Sequence, residues 1–187
     1  MKKLALLTLT ILFALVFAES QAQVKQEKEH VKETKKAFKT ERVALRKLEG
    51  GVVSSKSMDQ FDTDFGKVQN VVWKRSANFD EVTFTKDERK LTAFYDSDSK
   101  LVGTTEAKTF ADVPANGQKE IKTKFREYSV GQVVLFDDNE ANDTDMVLYG
   151  SQFDDADKYF VELTKGASKI VVEVSTNGAV SFFKKLS

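Results

Sequence analysis

The chain has 187 residues, with 29 Lys and Arg against 29 Asp and Glu, a single histidine and no cysteine. Without cysteine there are no disulfides and no lipid-modified cysteine terminus, and the one histidine, His30, lies in a charged stretch that hardly offers the partners a His-based acid/base pair, a Ser-His-Asp triad or a His-ligated zinc would need. Residues 23–50 carry nine basic against five acidic side chains and residues 51–187 carry 18 against 23, so the acidic body lacks the concentrated basic patch that a nucleic-acid binder needs.

Residues 1–22 read as an export signal: Lys2 and Lys3 give the positive start, and residues 4–18 form an apolar run shorter than a membrane span. Ser20-Gln21-Ala22 offers small residues for cleavage after Ala22, with Ala18 the weaker site. No later stretch is apolar enough to span, so the mature chain is expected to have no transmembrane anchor and to be periplasmic or secreted. Residues 23–50 contain no Gly or Pro before Gly50 and are rich in Lys, Glu and Ala, which predicts a charged helical arm. Val24, Val31, Phe38 and Leu45 recur every seven residues, but the companion positions Glu27, Thr34, Glu41 and Leu48 are mostly polar. A coiled coil needs both positions apolar. The arm is therefore expected to be a solvated spacer, or to lay its narrow stripe on the body.

The body repeats itself. Shifted by 79 positions, Val82-Thr-Phe-Thr-Lys86 falls on Val161-Glu-Leu-Thr-Lys165, and Lys90-Leu-Thr-Ala-Phe-Tyr95 on Lys169-Ile-Val-Val-Glu-Val174. Such a period predicts two copies of one unit, residues 51–110 and 111–187. In the first, Ser57-Met-Asp-Gln60 has capping-box spacing, and Met58, Phe61 and Phe65 lie on one face of a short helix ended by Gly66. Strands follow at 71–74, 81–84, 90–95 and 100–102. In the second, Pro114 marks the helix start, Ile121 and Phe125 its apolar face, and strands are expected at 133–136, 159–163, 170–174 and 180–183. The fold class is α+β, with two repeats of a helix followed by a four-stranded antiparallel sheet, preceded by the N-terminal helix. Residues 137–157 are an acidic insertion without a counterpart in the first repeat, and residues 146–149 could form an extra strand.

Period-two alternation places Trp73, Val82, Phe84, Leu91, Tyr95, Val161, Leu163, Ile170 and Val172 under the two helices, together with Val71, Ala93 and Val174. The opposite face carries Lys74, Thr83, Thr85, Thr92, Glu162 and Glu173, yet also Phe94, Val134, Phe136, Phe160, Val171 and Phe183. An apolar patch on a face the helices leave bare is either a docking surface or is covered by something else. Phe94, Phe136, Phe160 and Phe183 are the candidate partner-binding residues, and Val31, Phe38 and Leu45 of the arm the candidate cover.

Gly50-Gly51 precedes no Lys-Ser/Thr, so no phosphate loop is present. The acids cluster in turns and in one loop, where solvation accounts for them, and no enzyme activity or cofactor is expected. Asp137, Asp138, Asp143 and Asp145 lie within nine residues and could offer oxygens to calcium, although the spacing is not that of an EF-hand.

Three stretches carry a family resemblance: Phe65-Gly-Lys-Val-Gln-Asn-Val-Val-Trp-Lys74, Ala93-Phe-Tyr-Asp-Ser-Asp-Ser-Lys-Leu-Val-Gly103, and residues 121–128 with the strand after them. Over residues 57–187 the chain resembles the PepSY-like, β-lactamase-inhibitor-like exported proteins common in Bacteroidetes. The resemblance implies a helix-plus-antiparallel-sheet repeat and a binding or inhibitory role outside the cytoplasm. The resulting expectation is an exported, non-catalytic module that docks an unidentified protein or peptide of the envelope or exterior. The alternative is an envelope-associated structural or calcium-binding protein using residues 137–145.

Overall fold

The computed structural model describes residues 26, 29–31, 33, 34, 37, 40, 41, 44 and 50–187 apart from 155. The expected signal peptide and Val24, Phe38 and Leu45 of the arm lie outside the described residues. The chain divides into two units, Met1–Leu48 and Glu49–Ser187. In the first, the described residues are helical and exposed, Val31 among them. Among the described residues no helix is long and apolar enough to cross a membrane.

The second unit opens with α1 (Ser55–Phe65), which ends at Gly66 in the left-handed region, φ 65°. Phe61 and Phe65 turn inward as expected, whereas Met58 is exposed and Ser57 is buried. Ser57 does not cap the helix, since Ser54 holds that position. Instead the Ser57 hydroxyl donates to Asp80 Oδ2 at 2.8 Å and meets Ser99 Oγ at 3.0 Å, pinning the first turn to the sheet.

Strands β1 (Gln69–Arg75), β2 (Asp80–Lys86), β3 (Arg89–Tyr95) and β4 (Leu101–Lys108) follow. A 3-10 turn at Phe110–Asp112 precedes α2 (Ala115–Lys124). Its capping box is formed by Thr109 and Asp112, and this pairing holds the Asp112 carboxyl below its ordinary range. Then come β5 (Ser129–Asp138), β6 (Val147–Leu148), β7 (Ser151–Gln152), β8 (Lys158–Lys165), β9 (Ser168–Ser175) and β10 (Val180–Lys185). β4 runs six residues past the expected end at 102; Gly103-Thr-Thr-Glu-Ala-Lys108 has no apolar alternation to announce it.

Eight strands form one antiparallel sheet, in the order β1-β2-β3-β4-β5-β8-β9-β10, and β6 and β7 pair separately. This corrects the expected pair of four-stranded sheets. β4 and β5 pair from Gly103↔Asp138 to Lys108↔Val133, which satisfies backbone groups that two separate sheets would leave at bare edges. The internal offset persists in the ladders. Val82↔Ala93 and Phe84↔Leu91 recur as Val161↔Val172 and Leu163↔Ile170. A bulge between Gln69 and Val72 recurs between Val130 and Val133.

Both helices pack on one face. Phe61 of α1 seals a cluster with Val82, Phe84, Leu91, Ala93 and Tyr95, partly covered by Trp73; Val71 falls in the bulge and is exposed. Ile121 of α2 seals another with Val133, Val161, Leu163, Ile170, Val172 and Val174. Gly117 sets how close α2 can lie: a Cβ there would stand 2.6 Å from Val174 Cγ1.

Candidate functional site

Side chains of directly paired residues share a face. The ladder Val72–Thr83–Thr92–Thr105–Phe136 therefore crosses five strands on the side away from the helices, and Phe94, paired with Gly103, lies on the same side. The candidate docking residues are together on this side, but they do not form an open surface. Phe136 and Phe160 are 0 % exposed, Phe94 is 7 % exposed and Phe183 is partly buried. The cover is the acidic insertion itself. Met146 and Phe153 are buried against Phe94, Val102, Phe136, Phe160 and Val171, with Val147, Leu148 and Tyr149 packed beside them. The Phe153 ring meets Phe136 at 5.1 Å, Phe160 at 4.8 Å and Phe183 at 6.0 Å between centroids, all edge to face. Direct contact of a partner with these four phenylalanines is thus corrected: their apolar area is already spent inside the chain.

Local chemistry makes the cover a hairpin. Tyr149 and Gly150 both have positive φ, 51° and 71°, as a two-residue β-turn of this hand requires. Tyr149 tolerates that conformation because its neighbours hold it. Lys184 Nζ donates to its carbonyl at 2.6 Å, and its ring lies 6.4 Å from Phe160. Burial, then the charge and hydrogen bond of Glu162, push the Tyr149 hydroxyl up to about 12. Glu162 also pairs with Lys169. Lys158, ion-paired with Asp154 and with Glu173 at 3.4 Å, closes the other flank.

The loop preceding the hairpin is anchored by Asp96, in the β3–β4 turn. Asp96 Oδ2 accepts from Asn142 Nδ2 at 3.2 Å and Thr144 Oγ1 at 3.1 Å, and Oδ1 accepts from the Asp98 and Lys100 amides at 2.8 and 3.0 Å. Asn139 and Asn142 both donate to the Leu101 carbonyl, at 2.7 and 3.0 Å. The alternation of β5 sends Asp137 and Asp138 to opposite faces of the sheet. The Asp138 amide donates to Asp157 Oδ1 at 2.8 Å, Asp145 accepts from Gln152, and Asp143 is exposed. Among the described residues no group of three or more His, Cys, Asp or Glu is placed to hold a metal ion. The calcium expectation for Asp137, Asp138, Asp143 and Asp145 therefore finds no convergent geometry in the loop.

What stays open on this side is its other half, over β1 to β4. Val72 is 64 % exposed, Ala107 is exposed, and Thr83, Thr85, Thr92 and Thr105 are half-exposed. Thr83 Oγ1 and Thr92 Oγ1 share a hydrogen bond at 2.9 Å. Lys74 and Glu81 form a rim ion pair at 3.6 Å. Thr83, Thr85 and Thr92 were legible as the polar face of their strands. Thr105 was not, because β4 carries no apolar alternation beyond Val102.

No protein-family model and no curated protein matches the sequence. Solved structures do match in fold. A BLIP-like protein of Bacteroides fragilis is 14 % identical with a TM-score of 0.57, and the match covers 75 % of this chain and 92 % of that one. A candidate periplasmic protein of Bacteroides eggerthii is 12 % identical with a TM-score of 0.59, over 73 % of this chain and 91 % of that one. A DUF2874 family protein of Bacteroides uniformis is 10 % identical with a TM-score of 0.59, over 72 % and 91 %. At such identities the likeness concerns the fold alone, and the chain has the fold of the BLIP-like and DUF2874 proteins of Bacteroides.

Proposed function

We propose that this is an exported, non-catalytic binding module, built from two copies of a helix-and-four-strand unit, that docks a protein or peptide on the uncovered half of its sheet. The observation that carries the reading is the division of the face away from the helices. The insertion buries one half, and the other half presents Val72, Thr83, Thr92 and Thr105 in a row. That row bears three threonine hydroxyls, of which those of Thr83 and Thr92 hydrogen-bond to each other. Neutral hydroxyls cost less to desolvate than charges and can pair with a partner's backbone. The insertion then acts as the wall of the docking surface rather than as a ligand site. The BLIP-like and periplasmic descriptions of the similar folds agree with such a role.

The test places a photo-crosslinking residue at Thr92 or Thr105, or at Lys122 of α2 as control, in the mature chain, and exposes each to envelope and secreted extracts. A partner joined from the two sheet positions and not from Lys122, and lost in Thr92→Arg with an unchanged melting temperature, is the expected result. Equal crosslinking from Lys122, or capture indifferent to Thr92→Arg, removes the assignment.

A further inference from the structure

The helix-bearing face holds a second feature, independent of the docking surface proposed above. Where α1 ends, Phe65, Leu91 and Leu101 floor an open depression of about 340 Å³, with Lys86, Arg89, Asp87 and Asp137 around it. Its two cations are already engaged. Arg89 grips Glu106 through both carboxylate oxygens, Nε at 3.1 Å and Nη2 at 2.6 Å. Lys86 lies against Phe65, with Nζ 3.4 Å from its carbonyl and 5.5 Å from the ring centroid. Asp137 differs: among the described residues its carboxylate makes no hydrogen bond or ion pair. Its charged surroundings are mainly Asp157, Glu140 and Glu106, opposed by Arg89. An apolar floor beside a carboxylate that makes no hydrogen bond or ion pair among the described residues suits a cation on an aliphatic stem, because such side chains bury the stem and keep the head at the rim.

We propose that this depression receives a lysine side chain from a protein or peptide partner, the stem on Phe65, Leu91 and Leu101 and the ammonium on Asp137. The partner segment is accordingly basic, complementary to the acidic body of residues 51–187. An anionic group would meet Asp137 with Asp157, Glu140 and Glu106 around it, and the cations nearby are Arg89, held by Glu106, and Lys86, held against Phe65.

The experiment titrates N-acetyl-lysine N-methylamide into the full chain and follows backbone amide shifts, with the norleucine and glutamate analogues as comparisons. Shifts at Leu101, Thr104 and Asp137 with the lysine probe alone are expected. Asp137→Asn should weaken binding roughly tenfold, the loss of one charge-assisted hydrogen bond, while Asp143→Asn leaves it unchanged. An equal response to norleucine or glutamate, indifference to Asp137→Asn, or no response to any probe overturns the proposal. Asp137→Asn is expected to raise the melting temperature, since partial burial and neighbouring acids disfavour the carboxylate, so lost binding in that variant is not lost folding.

Discussion

Asp96 shows what a single buried carboxylate does here. It is 4 % exposed and accepts from two side chains of the insertion and two amides of its own turn. Asp96→Ala would strand those donors, at an expected cost of about 3 kcal/mol, and urea unfolding should show it. A change below about 0.5 kcal/mol would mean that water replaces the carboxylate freely. Two other carboxylates set opposite pH dependences. Hydrogen bonds from Arg89 and Lys108, and their charges, hold the Glu106 carboxyl below its ordinary value against the opposing effect of burial. Glu106 therefore stabilises the fold above the unfolded-state value, and that contribution is lost as the pH falls through the lower folded value. Asp137 has the reverse sign, since partial burial and then Asp157 and Glu140 raise it. Its contribution favours the fold below the unfolded-state value and is lost as the pH rises through the raised folded value. Melts of Glu106→Gln should fall below the parent at neutral pH, those of Asp137→Asn should rise above it, and both should converge with the parent in acid. Convergence at neutral pH instead would contradict both assignments.

At the scale of the element, the insertion behaves as core rather than as loop. Its Phe153 touches three aromatic rings of the sheet, so Phe153→Ala should cost about 3–5 kcal/mol and increase binding of a hydrophobic dye. A loss no larger than that of an exposed phenylalanine such as Phe182 would mean that the hairpin is only loosely seated. For the same reason, alanine at Phe94 and Phe160 reads out stability and not docking, because both are buried in the same cluster. The Phe136 ring and β5 lie close against β4 because Gly103 lacks a Cβ. An atom there would fall 2.5 Å from the Asp137 carbonyl and 2.6 Å from the Phe136 ring.

Over the whole molecule, the β1–β4 and β5–β10 parts of the sheet are tied by one ladder and one shared cluster. Val102 and Phe94, before residue 111, are buried against Phe136, Met146 and Phe160, after it. Residues 51–110 alone would expose that area and the open edge of β4, and should fail to fold, giving collapsed amide dispersion and no cooperative melt. A cooperative melt of the isolated half would refute the shared-core account. The true edges of the sheet are guarded. Both β1 and β10 carry bulges, and they end in Lys74-Arg75 and Lys184-Lys185, features that discourage edge-to-edge pairing.

Periodicity was enough to read the two helices, the strands that alternate and the apolar set under the helices apart from Met58 and Val71, because each depends on spacing within a few residues. The threonines of β2 and β3 and the four phenylalanines could likewise be assigned to one face from the sequence by itself. Three things depended on contacts far apart in the chain. β4 extends to Lys108 because β3 and β5 pair with it on both sides, whatever its own pattern. Eight strands make one sheet because β4 and β5 each need a neighbour. The apolar patch is closed because a polar-looking insertion contributes Met146 and Phe153, two residues whose burial no local period announces. Alternation determined which side chains share a face; only the tertiary structure decided which part of that face is left for a partner, since covering a surface depends on where a distant segment comes to rest.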